Sequence, residues 1–264
     1  MGLTRGGAWL IGKLALPVTA GCDVDDRETT ALRREIIQRK PFLKRIYEDW
    51  YRTIAGALPA GDVRVLELGS GAGFMRDRIP AIIASDIQHV PAIAVVADAT
   101  RLPFRDASLG GVAMTNVLHH VADVRAFFTD AARCVRSGGA IVMIEPWVTP
   151  WSSFVYSRVH TEPFEPNAAD WTLPLRGPLS GANGALPWIL FQRDRVRFER
   201  EFPSWRIARI QPHTPFRYLV SGGVSLRGLT PAFTYRAWQL VERLLTPLMS
   251  RIGMFATIVL IRQR

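Results

Sequence analysis

Cysteine is scarce in this 264-residue chain, which holds only Cys22 and Cys134. Two thiols cannot build a disulfide framework or a thiolate metal centre, and such sparing use fits a reducing, cytoplasmic compartment. Lysine is nearly as rare: Lys13, Lys40 and Lys44 are the only three, so the 33 basic residues are almost entirely arginine. No run of about 18 consecutive apolar residues occurs, which argues against a membrane-spanning helix. There is no internal repeat or low-complexity tract either, which excludes solenoids and compositional linkers. What is present is enough apolar surface to offset ordering entropy, since 48% of residues are hydrophobic and 21% charged; wholesale disorder is excluded. The length fits one enlarged α/β or barrel-type domain. The excess of 33 basic over 23 acidic residues, +10 in all, points to an anionic partner: nucleic acid, a phosphorylated substrate or a membrane surface.

Near the N-terminus, residues 8–22 (AWLIGKLALPVTAGC) follow Arg5 and end in small residues before a cysteine, in the manner of a lipoprotein signal, but Lys13 and Pro17 interrupt the apolar stretch. A tail or a short surface-docking segment is the expectation. Residues 29–57 then show helical spacing, with Leu32 and Ile36 on one face and Leu43, Ile46, Trp50 and Ile54 on the next. Pro41 divides them into two helices, because proline suits a first helical position. From Val63 to Leu68 the period changes to that of a short β-branched strand running into Gly69-Ser70-Gly71-Ala72-Gly73. Further strands are expected at Ala81 to Ser85, Ala92 to Ala97, Gly110 to Thr115 and Ala140 to Glu145, with a helix at Val124 to Val135. Such alternation implies right-handed βαβ units and a parallel sheet. The stretch 146–203 breaks the pattern with tryptophans, prolines and glycines before a helical passage from Leu186 to Phe202, and loops of this length are usually lids or binding segments. A strand at Trp205 to Ile210, an amphipathic helix about Phe233 to Leu248 and a strand from Phe255 to Ile261 close the chain. The aromatic and leucine face of that last helix reads as core, with peripheral membrane attachment left open.

A glycine turn after a first strand lets a ligand approach the backbone and the next helix N-terminus. The dinucleotide fingerprint would need glycine at position 74, where Phe74 stands, and Glu67 lies two residues before the first glycine, so a nicotinamide site is not expected. The segment E-L-G-S-G-A-G after an apolar strand instead resembles the first motif of class I S-adenosylmethionine-dependent methyltransferases, in their small-molecule, methyltransferase-11-like branch. The resemblance runs in order along residues 60–146: Asp86 in I-I-A-S-D-I, Asp98-Ala99 in V-V-A-D-A-T-R-L-P-F, the turn Asn116 to His120, and A-A-R-C-V-R-S-G-G-A-I-V-M-I-E-P. It implies a Rossmann-like seven-stranded, mostly parallel sheet sandwiched by helices; with the break in pattern at 146–203 read as a cap insertion after the fifth strand, the domain is expected to span 58–264 behind an N-terminal tail and helices at 1–57. It further implies S-adenosyl-L-methionine as cofactor, held by Glu67, Gly69, Ser70, Gly71, Gly73, Asp86, Ile87, Asp98, Ala99, Asn116 and His119. Of these, Asp86 would bond the ribose hydroxyls, and Asp98-Ala99 would lie beside the adenine.

For the acceptor, the Asn/Asp/Ser-Pro-Pro-aromatic tetrad of amino-methylating nucleic-acid enzymes is absent, Thr115-Asn116-Val117-Leu118 standing in its place. Neither cysteine follows a proline, as a cytosine-C5 nucleophile would. Nucleic acid is therefore disfavoured, with RNA methylation and a non-catalytic binding role as the alternatives. A hydroxyl acceptor would gain from a general base; His120 is the first candidate, with Glu145 and His160 behind it. The segment His160-Thr161-Glu162-Pro163-Phe164-Glu165-Pro166 suits a polyhydroxyl acceptor or reads as a polar loop with acidic caps. Arg193, Arg195, Arg197 and Arg200 form either a solvated face or a phosphate or anionic-lipid contact. The expectation is O-methylation of a small molecule, glycan or lipid-linked acceptor, by a cytoplasmic protein with peripheral contact at the inner membrane face and no metal ligand set.

Overall fold

The computed structural model describes residues 12–19, 21–61, 63–91, 93–159, 162–174, 177 and 179–264. Two helices open it, α1 (Arg27–Arg39) and α2 (Pro41–Ala57). The Asp26 side chain caps α1 by accepting from the Glu28 N–H at 2.9 Å. Lys40 between them is extended, and Pro41 starts α2, because a residue before proline is kept out of the helical region while proline itself fits the first turn. α2 buries Phe42, Leu43, Ile46, Tyr47, Trp50, Tyr51 and Ile54 along one side, a stripe at helical spacing worth about 1.5–3 kcal/mol per large side chain.

The sheet is built from β1 (Val65–Leu68), β2 (Ile82–Asp86), β3 (Val95–Val96), β4 (Leu109–Thr115) and β5 (Val135–Pro146), with α3 (Val124–Cys134) between the last two. β6 (Trp205–His213) and β7 (Phe255–Arg262) complete it. The order is β3-β2-β1-β4-β5-β7-β6; β1 to β5 pair in parallel, and β7 runs antiparallel to both its neighbours. The register Leu66↔Val112↔Ile141↔Leu260 places these residues in one core with Phe127, Phe128 and Trp171. The alternate positions Val65, Ala113, Val142 and Val259 form the opposite core under α1 and α2. Helical cover on both faces is why these strands are apolar at every position rather than alternating.

The 146–203 segment folds as α4 (Pro150–Val159), an irregular stretch, a helical turn Leu186–Trp188, a π-helical turn Ile189–Arg193 and α5 (Arg195–Glu201). Its anchor is Trp171, fully buried, whose indole N–H donates to Asp194 at 2.8 Å. The Arg125 and Arg197 guanidinium groups lie 4.8 and 4.4 Å from its ring centre, a cation–π arrangement that fixes the insertion against α3.

The C-terminal helix corrects the sequence reading. Only α7 (Tyr235–Leu244), which follows α6 (Arg217–Ser221), is α-helical there, and its apolar face is not core. Phe233, Leu240, Leu244 and Leu248 are 83%, 57%, 73% and 45% exposed, while Tyr235 and Glu242 point inward. The reason is a polar anchor. Glu242 accepts from the backbone N–H of Phe216 and Arg217 at 3.1 and 2.8 Å and from the Arg217 side chain at 2.5 Å, while Arg217 also reaches Asp49 and Tyr235 at 2.8 and 2.7 Å. Within the apolar N-terminal stretch, residues 14–16 pair with residues 225–227, Leu16 N–H donating to Ser225 C=O at 3.0 Å and Arg227 N–H to Leu14 C=O at 2.7 Å; residues 8–11 and 20 lie outside the described residues.

Candidate functional site

The loops at the carboxyl ends of β1, β2 and β4 open into a cavity of about 1410 Å³. Open α/β sheets bind ligands at this edge, and the volume exceeds the roughly 300–1,000 Å³ of an ordinary single-ligand pocket. It has room for two molecules. β1 carries Glu67 to the rim, buried, where burial pushes its carboxyl up to about 7 against the opposing pull of Ser70 and Arg34. Gly69 then turns the chain with φ +65°, and a Cβ there would stand 2.5 Å from the Val117 side chain. A Cβ on Gly71 would meet Thr30 at 2.7 Å and Asp86 at 2.9 Å. The glycines thus keep a backbone surface bare of side chains. Asp86 closes the end of β2, accepting from Gly71 N–H at 3.0 Å and Gln88 N–H at 2.9 Å, and Arg34 of α1 donates to the Gly73 carbonyl.

Across the cavity, Asn116 holds a left-handed backbone with φ +57°, which asparagine tolerates. The Asn116 Oδ1 and Thr115 Oγ1 atoms are buried and have no hydrogen-bond partner among the described residues. Buried polar atoms are rarely left unmatched, so these two are set for a polar ligand. β5 delivers Glu145, fully buried. Its Oε1 accepts from Val117 and Leu118 N–H, both at 2.8 Å, and its Oε2 lies 2.6 Å from His119 Nδ1. His119 Nε2 is 3.8 Å from Glu162 Oε2. Burial works against a charge on His119, but Glu145 and Glu162 outweigh it and push the ring up to about 9. His120, its ring centre 4.2 Å away, is driven the other way, to about 3, by burial and by the neighbouring His119.

Most of the expected cofactor set meets at this cavity: Glu67, Gly69, Gly71, Gly73, Asp86, Ile87, Asp98, Ala99, Asn116 and His119 all line it. Ser70 instead ties β1 to β2, its hydroxyl accepting from Ser85 N–H at 3.1 Å. Asp98 Oδ1 accepts from Thr100 N–H and hydroxyl, both at 2.8 Å. Of the catalytic candidates, His120 lines the cavity, Glu145 reaches it only through His119, and His160 lies outside the described residues. Sequence reasoning missed Thr30, Arg33, Tyr47, Tyr51, Tyr156 and Tyr218, all cavity-lining; Tyr47 and Tyr51 carry the same helical signal as the core residues beside them. The arginine cluster is engaged internally: Arg193 pairs with Asp194 at 2.8 Å, Arg195 with Glu199 at 2.8 Å and Arg197 with Glu201 at 2.7 Å.

The bare glycine surface, the acidic ends of β1 and β2 and the orphan acceptors across from them fit a cofactor with a cationic, hydroxyl-bearing and amine-bearing structure. Together with the strand order they resemble the cofactor end of class I S-adenosylmethionine-dependent methyltransferases. Comparison with known proteins agrees: residues 66–143 match the family model described as a methyltransferase domain. A demethylmenaquinone methyltransferase of Beutenbergia cavernae is 33% identical over 121 residues, covering 40% of this chain and 50% of that protein. The chain therefore spans about half the length of the curated relative it matches. Among solved structures, a chain from the complex between the Haloferax volcanii Trm112 methyltransferase activator and a methyltransferase superposes with a TM-score of 0.54 at 13% identity, over 92% of this chain and 100% of that one; this likeness is one of fold. No helix among the described residues is long and apolar enough to cross a membrane.

Proposed function

We propose that this chain transfers a methyl group from S-adenosylmethionine to a hydroxyl oxygen of a small acceptor with an apolar portion, while resting on the inner face of a membrane. The observation that carries the reading is that the glycine cradle and the Glu145–His119 pair open into the same cavity. The cofactor supplies an electrophilic methyl on a cationic sulfonium. Glu67, the Gly69 to Gly73 backbone and Asp86 would hold it, with Asp98 and Ala99 beside its base and Asn116 as the facing wall. The residues of this chain do the rest by positioning, since methyl transfer needs the acceptor atom about 3–3.5 Å from the reacting carbon. Tyr156, Phe164 and Tyr218 give the acceptor an apolar wall. The polar group of His119, His120 and Glu162 receives its hydroxyl; because His119 already holds a proton, the hydroxyl proton passes to the neutral His120 ring as the oxygen–methyl bond forms and the sulfur–methyl bond breaks. Glu145 acts through His119, fixing which ring nitrogen faces the cavity, so it is a positioning residue.

Membrane attachment is supported by the inverted helix α7. Its exposed Leu240, Val241 and Leu244 lie among Arg236 and Arg243, which make no ion pair among the described residues. An apolar ridge with arginine beside it suits an anionic lipid surface. Leu219, Val224 and Leu226, in and after α6, line the cavity, and α6 is tied to α7 through Arg217 and Glu242. Calorimetry with S-adenosylmethionine and S-adenosylhomocysteine tests the cofactor: saturable binding of both is expected, and binding of neither overturns the enzyme reading. Labelled methyl transfer into fractionated host extract should mark the lipid-soluble fraction; label confined to RNA or to water-soluble products overturns the acceptor.

A further inference from the structure

We infer that His119, His120 and Glu162 form a binding site for one divalent transition-metal ion of the zinc type, at the polar end of the cavity. Each residue offers one ligand atom, and the three lie within 4.8 Å of one another. Ligands at about 2.0–2.2 Å from a tetrahedral zinc stand roughly 3.4 Å apart. The 3.8 Å between His119 Nε2 and Glu162 Oε2 is therefore already close to coordination spacing, and small rotations of His120 and Glu162 complete it. Two ring nitrogens and one carboxylate are a donor set suited to zinc and its neighbours rather than to magnesium or calcium, which favour all-oxygen shells.

Two independent features prepare the site. His119 gives its Nδ1 side to Glu145 at 2.6 Å, and Glu145 is itself held by two backbone N–H groups. This carboxylate–histidine arrangement is the outer shell that orients metal-bound imidazoles: Nδ1–H stays on Glu145, and the ion displaces the proton from Nε2. The second is His120, whose Nδ1 is buried without a hydrogen-bond partner among the described residues. Beyond the three ligands lies the cavity, so the remaining coordination position opens towards the acceptor side. Nothing in the local sequence marks the site, because the histidine pair and Glu162 are brought together from β4's exit turn and the 146–203 segment. The inference rests on the methyltransferase reading for what the ion would contact, and not for its existence.

The test uses the full chain, stripped with chelator and titrated with zinc chloride by calorimetry and with cobalt chloride by visible absorption. One saturable equivalent and a cobalt spectrum of low-coordinate nitrogen–oxygen type are expected. Glu162→Gln, whose side chain is 35% exposed and whose removal spares the core, should weaken zinc at least ~10-fold, and His120→Ala likewise. Metal-free melting curves establish that each variant is folded. Absence of one-to-one binding, or equal affinity in the wild type and a folded Glu162→Gln variant, overturns the site. A parallel S-adenosylmethionine titration separates the two readings, since loss of cofactor binding with zinc binding intact defeats only the methyltransferase proposal.

Discussion

Replacing Glu145 by glutamine keeps the size of the side chain and removes its charge, at a position with no solvent exposure. The carboxylate accepts three hydrogen bonds, two from backbone N–H at 2.8 Å and one from His119 at 2.6 Å. A glutamine has one carbonyl oxygen, so it keeps the backbone pair or the ring and turns an N–H towards the other. In the wild type His119 is raised from its ordinary 6.5 to about 9; at roughly 1.4 kcal/mol per pH unit that corresponds to about 3 kcal/mol. The sign follows from which state holds the proton more tightly. The folded protein does, so the contribution is complete below pH 6.5 and is lost as pH rises through about 9. Urea unfolding of chelator-treated protein should thus show stability falling over that window. In Glu145→Gln the fall shrinks, and the His119 midpoint, followed by imidazole NMR, drops by about one pH unit or more because only Glu162 remains as a charge partner. Methyl-transfer turnover should fall roughly 10²-fold. A wild-type stability that is flat from neutral pH to 9, or a His119 midpoint unmoved by the substitution, refutes the reasoning.

Gly71→Ala places a Cβ 2.7 Å from Thr30 and 2.9 Å from Asp86; S-adenosylmethionine affinity by calorimetry should fall at least ~10-fold with little change in melting temperature, since the clash lies at the cavity edge. The double change Leu240→Asp with Leu244→Asp alters side chains that are 57% and 73% exposed, so stability should stay within about 0.5 kcal/mol per site while co-sedimentation with anionic phospholipid vesicles is lost; retained sedimentation removes the membrane proposal. His213 is half-buried between Thr214 and Thr257 at 2.7 and 3.0 Å and is lowered to about 3, by desolvation first and then by Arg217 and Arg209. Its contribution is present above 6.5 and lost as pH falls towards 3, so His213→Gln should flatten the acid side of the stability profile measured by urea unfolding.

The sheet was legible because each strand combines apolar residues with a turn signal at its end, and the glycine turn with Asp86 and Asp98 locates the edge where ligands collect. Pro41 likewise marked the break between α1 and α2, since one residue's stereochemistry decides it. What periodicity could not supply was direction. Tyr47 and Tyr51 share the helical spacing of Leu43 and Trp50, and only the placement of α2 across the end of β1 turns them to the cavity. Glu145 read as a possession of the site, yet its contact with it is made through His119, a relation set by the turn at Leu118–His120. The helix at 235–244 misled for a physical reason as well: hydrophobic period predicts the buried face only when apolar burial holds the helix down. Here the Arg217–Glu242–Asp49 network holds it instead.

That network also bears on the basic excess of +10. Charge by itself names no partner; what matters is which cations are already matched. Arg193, Arg195 and Arg197 have carboxylates within 2.8 Å, and Arg133 binds Asp106 and Asp130 at 2.9 and 2.8 Å; exposed pairs of this kind add little stability and offset those four cations locally. Arg217 is consumed in the interior. A buried ion pair is a costly way to seat a helix, because desolvation offsets most of the attraction, and apolar packing would serve at least as well. Its use here makes sense if the leucines of α7 are needed outside. The same inversion leaves Arg236 and Arg243 beside an exposed apolar face and ties that face, through α6, to the loop over the cavity. Part of the unmatched charge, at Arg236 and Arg243, thus lies beside the face where the proposed amphiphilic acceptor would enter.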